Sequence, residues 1–359
     1  MQTRVFKREE LEEIGTRIFD AGGSPHEESK LVSEVLVRSS MMGHDSHGVV
    51  RFIEYSRWIQ SKAIVPGAPF EVVQEVPSLA VVNGNYGWGP LVASKAMKLA
   101  IRKARESGVG TVVIRNGMHI GRLGEYSVMP AAEGMIGSIF VNSYGGIDRM
   151  APWGGIEPRL SPNPLSWAIP TGLEWPLLVD ITTSVMPEGK VRVALHSGKQ
   201  LPEGVLIDSD GKPTTNPADL YERRGGAILP FGGIVGHKGY GLNLVAEVLA
   251  GALSGVGCRG DESAKNGNGV FLQAMDVARF VPLKQFTENV QRFITHIKSS
   301  RPLPGVEEVL IPGEIEYRAF KRSSEEGVRV DEGIWNEIVM TASGVGVSLS
   351  PRLGLEKTE

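Results

Sequence analysis

Apolar residues recur along the chain first at helical spacing and then at strand spacing. Leu11, Ile14, Ile18 and Phe19 share one face of a helix over 7–20, because positions three and four apart align at 3.6 residues per turn. Ser24-Pro25-His26-Glu27 has the form of a capping box with proline at the first helical position, which predicts a second helix over 25–42. Gly43 ends that helix. Asp45 or Ser46 is placed to cap a third, whose buried side is Phe52, Ile53 and Ile59. Beyond it the period changes. Residues 71–76, 79–82, 111–115, 136–142, 164–169 and 177–181 read as strands. Between them, a helix opens near Pro90, buries Val92, Ala96, Leu99 and Ala100, and ends at Gly108, while a shorter one precedes residue 136. The stretch 184–235 is loop-rich, with turn signals at Pro202-Glu203-Gly204 and Asp210-Gly211-Lys212-Pro213. Residues 242–253 are apolar nearly all round, the pattern of a buried helix. One long strand or two over 270–280 and a helix over 286–298, along Phe286, Val290, Phe293 and Ile297, come next. Asp331 caps a last helix, with Val330 and Trp335 as its hydrophobic staple.

Composition narrows the class. A chain of 359 residues, 41% hydrophobic and 22% charged, is that of a soluble globular protein of two or three domains. A net charge of -3 supplies no basic field, which argues against nucleic acid as a partner. The single cysteine, Cys258, rules out an internal disulfide and suits a reducing compartment. Glu9, Glu10, Glu12, Glu13 and Asp20 are unlike a secretory leader, and no apolar run of about 18 residues exists to span a bilayer. A cytoplasmic protein without a membrane partner is expected. The glycine motifs are negative: Gly255-Val256-Gly257-Cys258-Arg259-Gly260 fits G-x-G-x-x-G but follows a helix and precedes none, whereas the dinucleotide fingerprint needs a strand before it. Gly84–Gly89 has the wrong order, and no Walker A sequence occurs. A nicotinamide cofactor, if bound, is not held by a Rossmann turn.

If the third helix starts at its cap, His47, Arg51 and Tyr55 fall at i, i+4 and i+8 on one face. An imidazole, a guanidinium and a phenol on one wall suit a small substrate with a carboxylate beside a carbonyl or hydroxyl. Arg51 would grip the carboxylate with its planar fork, and His47 would pass the proton. The competing reading is a solvated amphipathic helix. Further polar groups stand at element ends: His119, Asp180, His237 and Lys238. A carboxylate closing an apolar strand needs a partner, and an imidazole would serve Asp180, unless it caps a turn. Lys238 would bind an anion at a helix N-terminus or snorkel from it. His44, Asp45, His47, His119 and His237 also allow a zinc hydrolase, although Arg51 one turn from His47 would repel a cation. A binding module without catalysis has less need of so many titratable groups in glycine turns.

His44-Asp45-Ser46-His47-Gly48, His119-Ile120-Gly121-Arg122, Val179-Asp180-Ile181-Thr182-Thr183-Ser184, Pro213-Thr214-Thr215-Asn216-Pro217 and His237-Lys238-Gly239-Tyr240-Gly241, taken in order, resemble the type II malate/L-lactate dehydrogenases. These are NAD(P)-dependent oxidoreductases of 2-oxo acids, unrelated to the Rossmann dehydrogenases, and the likeness runs over nearly the whole chain. It implies an α/β (α+β) fold with a non-Rossmann cofactor domain around a mixed, largely antiparallel sheet. A helical domain would be formed by both chain ends, 1–75 joined by 290–359, with the sheet domain at 76–184 and 236–289 and a small loop-rich subdomain at 185–235. A homodimer with active sites near the subunit interface is implied as well. The resemblance assigns His47 as the catalytic histidine paired with Asp180, and Arg51 as the carboxylate-binding arginine; His119, in its glycine-flanked turn, is a further catalytic candidate. The resemblance places dinucleotide contacts on Gly121, Arg122 and Leu123, on Asp180, Ile181, Thr182 and Thr183, on His237 and Lys238, near Asn268, and on Pro312, Gly313 and Glu314, and Ser143 is a further candidate cofactor contact. The expected cofactor is NAD or NADP, with NAD favoured, and the substrate a small 2-oxo or 2-hydroxy acid. A cyclic imine carboxylate, as in some relatives, is the alternative within the family. Two departures bear on cofactor affinity. Ser161-Pro162-Asn163-Pro164 stands where relatives carry Gly-Thr-Asn-Pro, losing a backbone N–H, and Ile181-Thr182 enlarges two positions after Asp180.

Overall fold

The computed structural model describes residues 3–222, 225–260, 265–350 and 353. Strand β1 (Thr3–Phe6) leads into helices α1 (Arg8–Ala21), α2 (His26–Met41) and α3 (Arg51–Gln60). Then come β2 (Glu71–Val76), β3 (Leu79–Asn83), α4 (Gly89–Ser107), β4 (Val109–Gly117), α5 (Gly124–Ala131), β5 (Met135–Tyr144), β6 (Pro164–Ile169) and β7 (Leu177–Thr182). A smaller region carries α6 (Glu188–His196), β8 (Leu206–Ile207), β9 (Pro213–Thr214) and β10 (Ala227–Ile228). The chain returns through α7 (His237–Glu247), β11 (Gly267–Asp276), α8 (Leu283–Lys298), α9 (Glu314–Glu326), β12 (Val328–Asp331) and α10 (Glu332–Gly344).

The central sheet has seven strands in the order β2-β3-β4-β11-β5-β6-β7. Every pairing is antiparallel except β3 with β4, which are parallel and joined by the α4 crossover. This mixed, largely antiparallel sheet is the one expected. Helix α4 lies against it through Ala93, Ala96, Ala100 and Ala104, all fully buried. Gly110 makes the approach possible, because a Cβ there would overlap the carbonyl oxygen of Ala100. The first and last elements meet elsewhere. β1 pairs with β12, and one apolar cluster gathers Leu11, Ile18, Leu36 and Phe52 from the N-terminal helices with Trp335 and Ile338 from α10. Asp331 caps α10 by accepting from Gly333 N–H at 2.8 Å, and Val330 and Trp335 are both buried beside it, as the staple requires.

Four expectations change. Ser24 does not cap α2: its hydroxyl accepts from the buried indole N–H of Trp88 at 2.9 Å, and Pro25 stands at the N-cap with no side-chain bond. The described residues between 184 and 235 form more regular structure than their turn signals suggest, since α6 and the three-stranded sheet β10-β8-β9 enclose a cluster of Val191, Leu201, Val205, Leu206, Leu220 and Ile228. The apolar helix begins five residues early, at His237, and widens into a π-helical turn over Val248–Ala252. One of its faces is open: Val245 is 46% exposed and Val248 54%. The strand over 270–280 is one strand that ends at Asp276, whose side chain accepts from Ala278 N–H and starts a 3-10 turn.

Candidate active site

The turn that bears His47 is built by a glycine and a serine. Residues Asp45–His47 form a single 3-10 turn, and α3 begins only at Arg51. Gly48 breaks the two apart, running so close to α2 that a Cβ would overlap the Ser40 hydroxyl, while Ser40 accepts from Val49 N–H at 3.0 Å. The predicted continuous helix is therefore wrong, and neither Asp45 nor Ser46 caps it. His47 stands ahead of α3 rather than on its face with Arg51 and Tyr55. Arg51 is tied back to the turn, donating from Nε to the Ser46 carbonyl at 2.7 Å, and it also pairs with Glu54.

The loop after β4 brings a second imidazole onto the first. His119 stacks on His47 with ring centroids 5.4 Å apart and planes 7° from parallel. Tyr55 OH lies 2.8 Å from His119 Nδ1 and 3.1 Å from its carbonyl, and Gly121 N–H donates to the same Nδ1 at 3.3 Å. An Nδ1 that accepts a backbone N–H carries no proton, so the neutral ring of His119 presents Nε2–H as a donor. Trp58 closes the edge, 6.1 Å from the His119 centroid. Burial, with Arg51 and then His47 behind it, holds His119 well below the usual imidazole range. His47 is lowered to about 3, by burial first and then by the positive charges of Arg51, His44 and Arg122.

Asp180, at the end of β7, does not take an imidazole as its partner. Its Oδ2 accepts from Gly124 N–H at 2.6 Å and faces Arg122 NH1 at 3.8 Å. Burial pushes its carboxyl up, against the opposing pull of Arg122 and Gly124 N–H. Among the described residues His47 and Asp180 share no hydrogen bond or ion pair. Arg122 is the link: it is 2% exposed, sits between Asp180 and Glu125, and is one of the charges felt by His47. Glu125 in turn meets Arg38 at 3.2 Å. The sequence reading overlooked Glu125 and Arg38. The spacing of Arg122 and Glu125, three apart across the loop end and the first turn of α5, was the available signal.

The remaining candidates fall into groups. Gly121 has φ +77, and open space lies where its side chain would be. Leu123 is buried. Ser143 and Asn268 are register partners on β5 and β11. Pro312 joins β7 by accepting from Leu178 N–H at 3.0 Å, and Gly313, at φ +96, follows it. Glu314 is buried and committed to structure, bonded to Lys298 at 2.8 Å and to Arg318. Thr183 is likewise buried, donating to the Asn163 carbonyl at 2.9 Å and accepting from Asn243 at 2.7 Å. Thr182 donates to the Pro162 carbonyl at 3.2 Å, so the Ser161–Pro164 departure sits directly beneath β7, and Ile181 is exposed. His237 and Lys238 lie exposed in the first turn of α7, with Trp153 6.0 Å from His237, and neither bonds to His47 or Asp180. Among the described residues no three metal-ligand side chains are grouped so as to hold a metal ion: His47 stacks on His119, but His44 turns away to Glu316 and His237 lies apart on α7.

A mixed, largely antiparallel sheet, with a histidine–arginine cluster on the loop after one of its inner strands, is not a Rossmann fold, and the chain belongs to the class of non-Rossmann dehydrogenases. It belongs to the malate/L-lactate dehydrogenase family, whose model matches residues 6–339. The malate dehydrogenase of Pyrococcus horikoshii is 38% identical over 339 residues, covering 92% of each chain. Hydroxycarboxylate dehydrogenase B of Escherichia coli K12 is 33% identical, covering 95% of this chain and 94% of its own. The crystal structure of malate dehydrogenase from Entamoeba histolytica superposes with a TM-score of 0.91 at 29% identity, over 97% of this chain and 99% of that one. A family of 2-hydroxy acid oxidoreductases leaves the zinc-hydrolase alternative without support.

Proposed function

We propose that the protein moves a hydride between C4 of a nicotinamide ring and C2 of a small 2-oxo or 2-hydroxy acid, with His47 carrying the proton. The observation that carries this reading is the stacked His47–His119 pair beside Arg51. His119, fixed as an Nε2–H donor, is suited to hold the substrate oxygen. Arg51 is suited to hold the carboxylate, which would draw its fork away from Glu54. In oxidation His47 is neutral at pH 7 and takes the hydroxyl proton. In reduction it must first become imidazolium, which Arg51, His44 and Arg122 oppose. A bound carboxylate on Arg51 offsets one of these charges, and Asp180 offsets Arg122. Protonation of His47 is thereby coupled to the arrival of an anionic substrate.

A pyridine nucleotide fits the neighbouring loop on one structural ground: the buried guanidinium of Arg122 keeps Nε and NH1 without hydrogen-bond partners, beside the open left-handed turn at Gly121. Gly121, Arg122 and Leu123, Ser143 with Asn268, Asp180 to Thr183, His237 with Lys238, and Pro312 to Glu314 would hold it. When bound it supplies the hydride donor or acceptor. NAD is favoured over NADP. We further propose the three-part organisation given above, supported by separate apolar clusters in the helical, sheet and small regions. A homodimer is supported by the open apolar face of α7 and the π-helical turn that follows it, with Leu244, Val245, Val248 and Leu253 exposed. No described helix is long and apolar enough to cross a membrane, and the lone cysteine favours a cytoplasmic setting.

The test is a panel of 2-oxo acids and one cyclic imine carboxylate, each with NADH and with NADPH, on the wild type and His47→Ala. Turnover of a 2-oxo acid that His47→Ala loses while NADH binding persists is expected. Consumption of neither nucleotide with any substrate would refute the reading, and preference for the imine would redirect it to imine reduction.

A further inference from the structure

His44 is the residue before the one-turn helix that carries His47, and its backbone is already committed. Its N–H donates to the Ser39 carbonyl at 2.9 Å, and its own carbonyl accepts from His47 N–H at 2.9 Å. The side chain then leaves the turn and crosses to α9, where Nε2 stands 3.4 Å from Glu316 Oε1. Glu316 lies in the first turn of α9, immediately after the Pro312–Gly313 segment that is bonded to β7. β7 ends at Thr182, two residues past Asp180, and Asp180 holds Gly124 and Arg122. A ring therefore runs from His47 through His44, Glu316, α9 and β7 back to Arg122, and the His44–Glu316 contact is where it closes.

We propose that the His44–Glu316 pair is a positioning clasp, fastening the turn that bears His47 to the helix after the Pro312–Gly313 segment, so that the proton-transfer group and the nucleotide-binding segment share one register. The inference rests on the function proposed above. Stability does not explain the pair. With the two side chains 28% and 22% exposed and 3.4 Å apart, the pair is a partly solvated contact rather than a tight buried bridge, and partly solvated ion pairs contribute little to folding. The titratable groups that feel His44 are Asp45 and His47 on its own turn, Glu316 from α9 and Asp180 from β7, and Arg122 from the loop after β4 acts on the last three of these as well. The imidazole holds Glu316 below the usual carboxylate range and is one of the charges that lower His47.

The clasp is tested with His44→Gln, Glu316→Gln, the double variant, and Glu325→Gln as a control on an exposed face of the same helix. In each clasp variant kcat for 2-oxo acid reduction is expected to fall about tenfold or more, with KM and NADH affinity within about twofold of wild type. The double variant should be no worse than either single one, because both break the same contact. Ring-carbon NMR of the ligand-free protein gives a readout that needs no turnover. The His47 resonances should move in Glu316→Gln but not in Glu325→Gln, and the His47 ionisation midpoint should rise in His44→Gln. Unmoved His47 signals in Glu316→Gln, or fully additive losses in the double variant, would overturn the clasp. A wild type inert toward every 2-oxo acid would instead overturn the proposed function, leaving the clasp to be judged by the His47 signals alone.

Discussion

Acid should unfold this protein partly through His47. The imidazole is lowered to about 3 in the folded chain, from an ordinary 6.5, chiefly by burial. A group whose folded pKa is depressed binds fewer protons in the folded state than in the unfolded one across the interval between the two values. Stability must therefore be fully present above pH 6.5 and fall as pH drops toward 3. At pH 5 the unfolded imidazole lies about 1.5 pH units below its own midpoint, and at 1.36 kcal/mol per unit this position costs about 2 kcal/mol relative to pH 8. His119 acts in the same direction, so the wild type should lose more than this in all. The perturbation is His47→Gln, which keeps a polar side chain and removes the titration. Urea unfolding of the ligand-free protein at pH 8 and pH 5 provides the measurement. The variant should lose about 2 kcal/mol less than wild type over that interval, with an unchanged denaturant slope. An equal loss in both proteins would show that His47 is not held neutral by its surroundings, and the coupling of its protonation to the substrate carboxylate would fall with it.

Arg51→Lys removes the fork that now reaches the Ser46 carbonyl and Glu54, and KM for a 2-oxo acid should rise about 10–100-fold in steady-state assays; an unchanged KM would place the carboxylate elsewhere. Gly124→Ala sets a Cβ against Arg122 NH1 and 2.8 Å from Asp180 Oδ2, so the Arg122 and Asp180 side chains must both shift. NADH affinity by fluorescence titration should then weaken about tenfold, whereas wild-type affinity would detach Asp180 and Arg122 from nucleotide binding. Asp331→Ala removes the side-chain acceptor at the start of α10 and should cost about 1 kcal/mol in chemical denaturation with kcat unaffected.

What the chain disclosed in advance follows the range of the interactions involved. Helices α1, α2 and α4, strands β6 and β7, and the cap and staple of α10 depend on neighbours a few residues away, and local periodicity carries them. The α3 start failed because Gly48 is excluded from helix by Ser40, a residue of the preceding helix and not of its own segment. Ser24 failed similarly: a buried indole 64 positions away competes for its hydroxyl and wins, because an unpaired Trp88 N–H in the core would cost more than an exposed cap bond. The site shows the same division. Only Arg51 and Tyr55 keep the expected spacing on α3, with His47 ahead of it; the residue that Tyr55 serves is His119, and the residue that Asp180 serves is Arg122. Both partners come from the six-residue loop after β4, which carries no periodicity to read. That loop reaches α3 on one side and β7 on the other because β4 lies near the centre of the sheet while Gly121 turns the chain through a left-handed conformation. The charges are accordingly arranged in series rather than in a His–Asp couple: Asp180 restrains Arg122, Arg122 acts on His47, and the substrate carboxylate on Arg51 would complete the balance that lets His47 hold a proton.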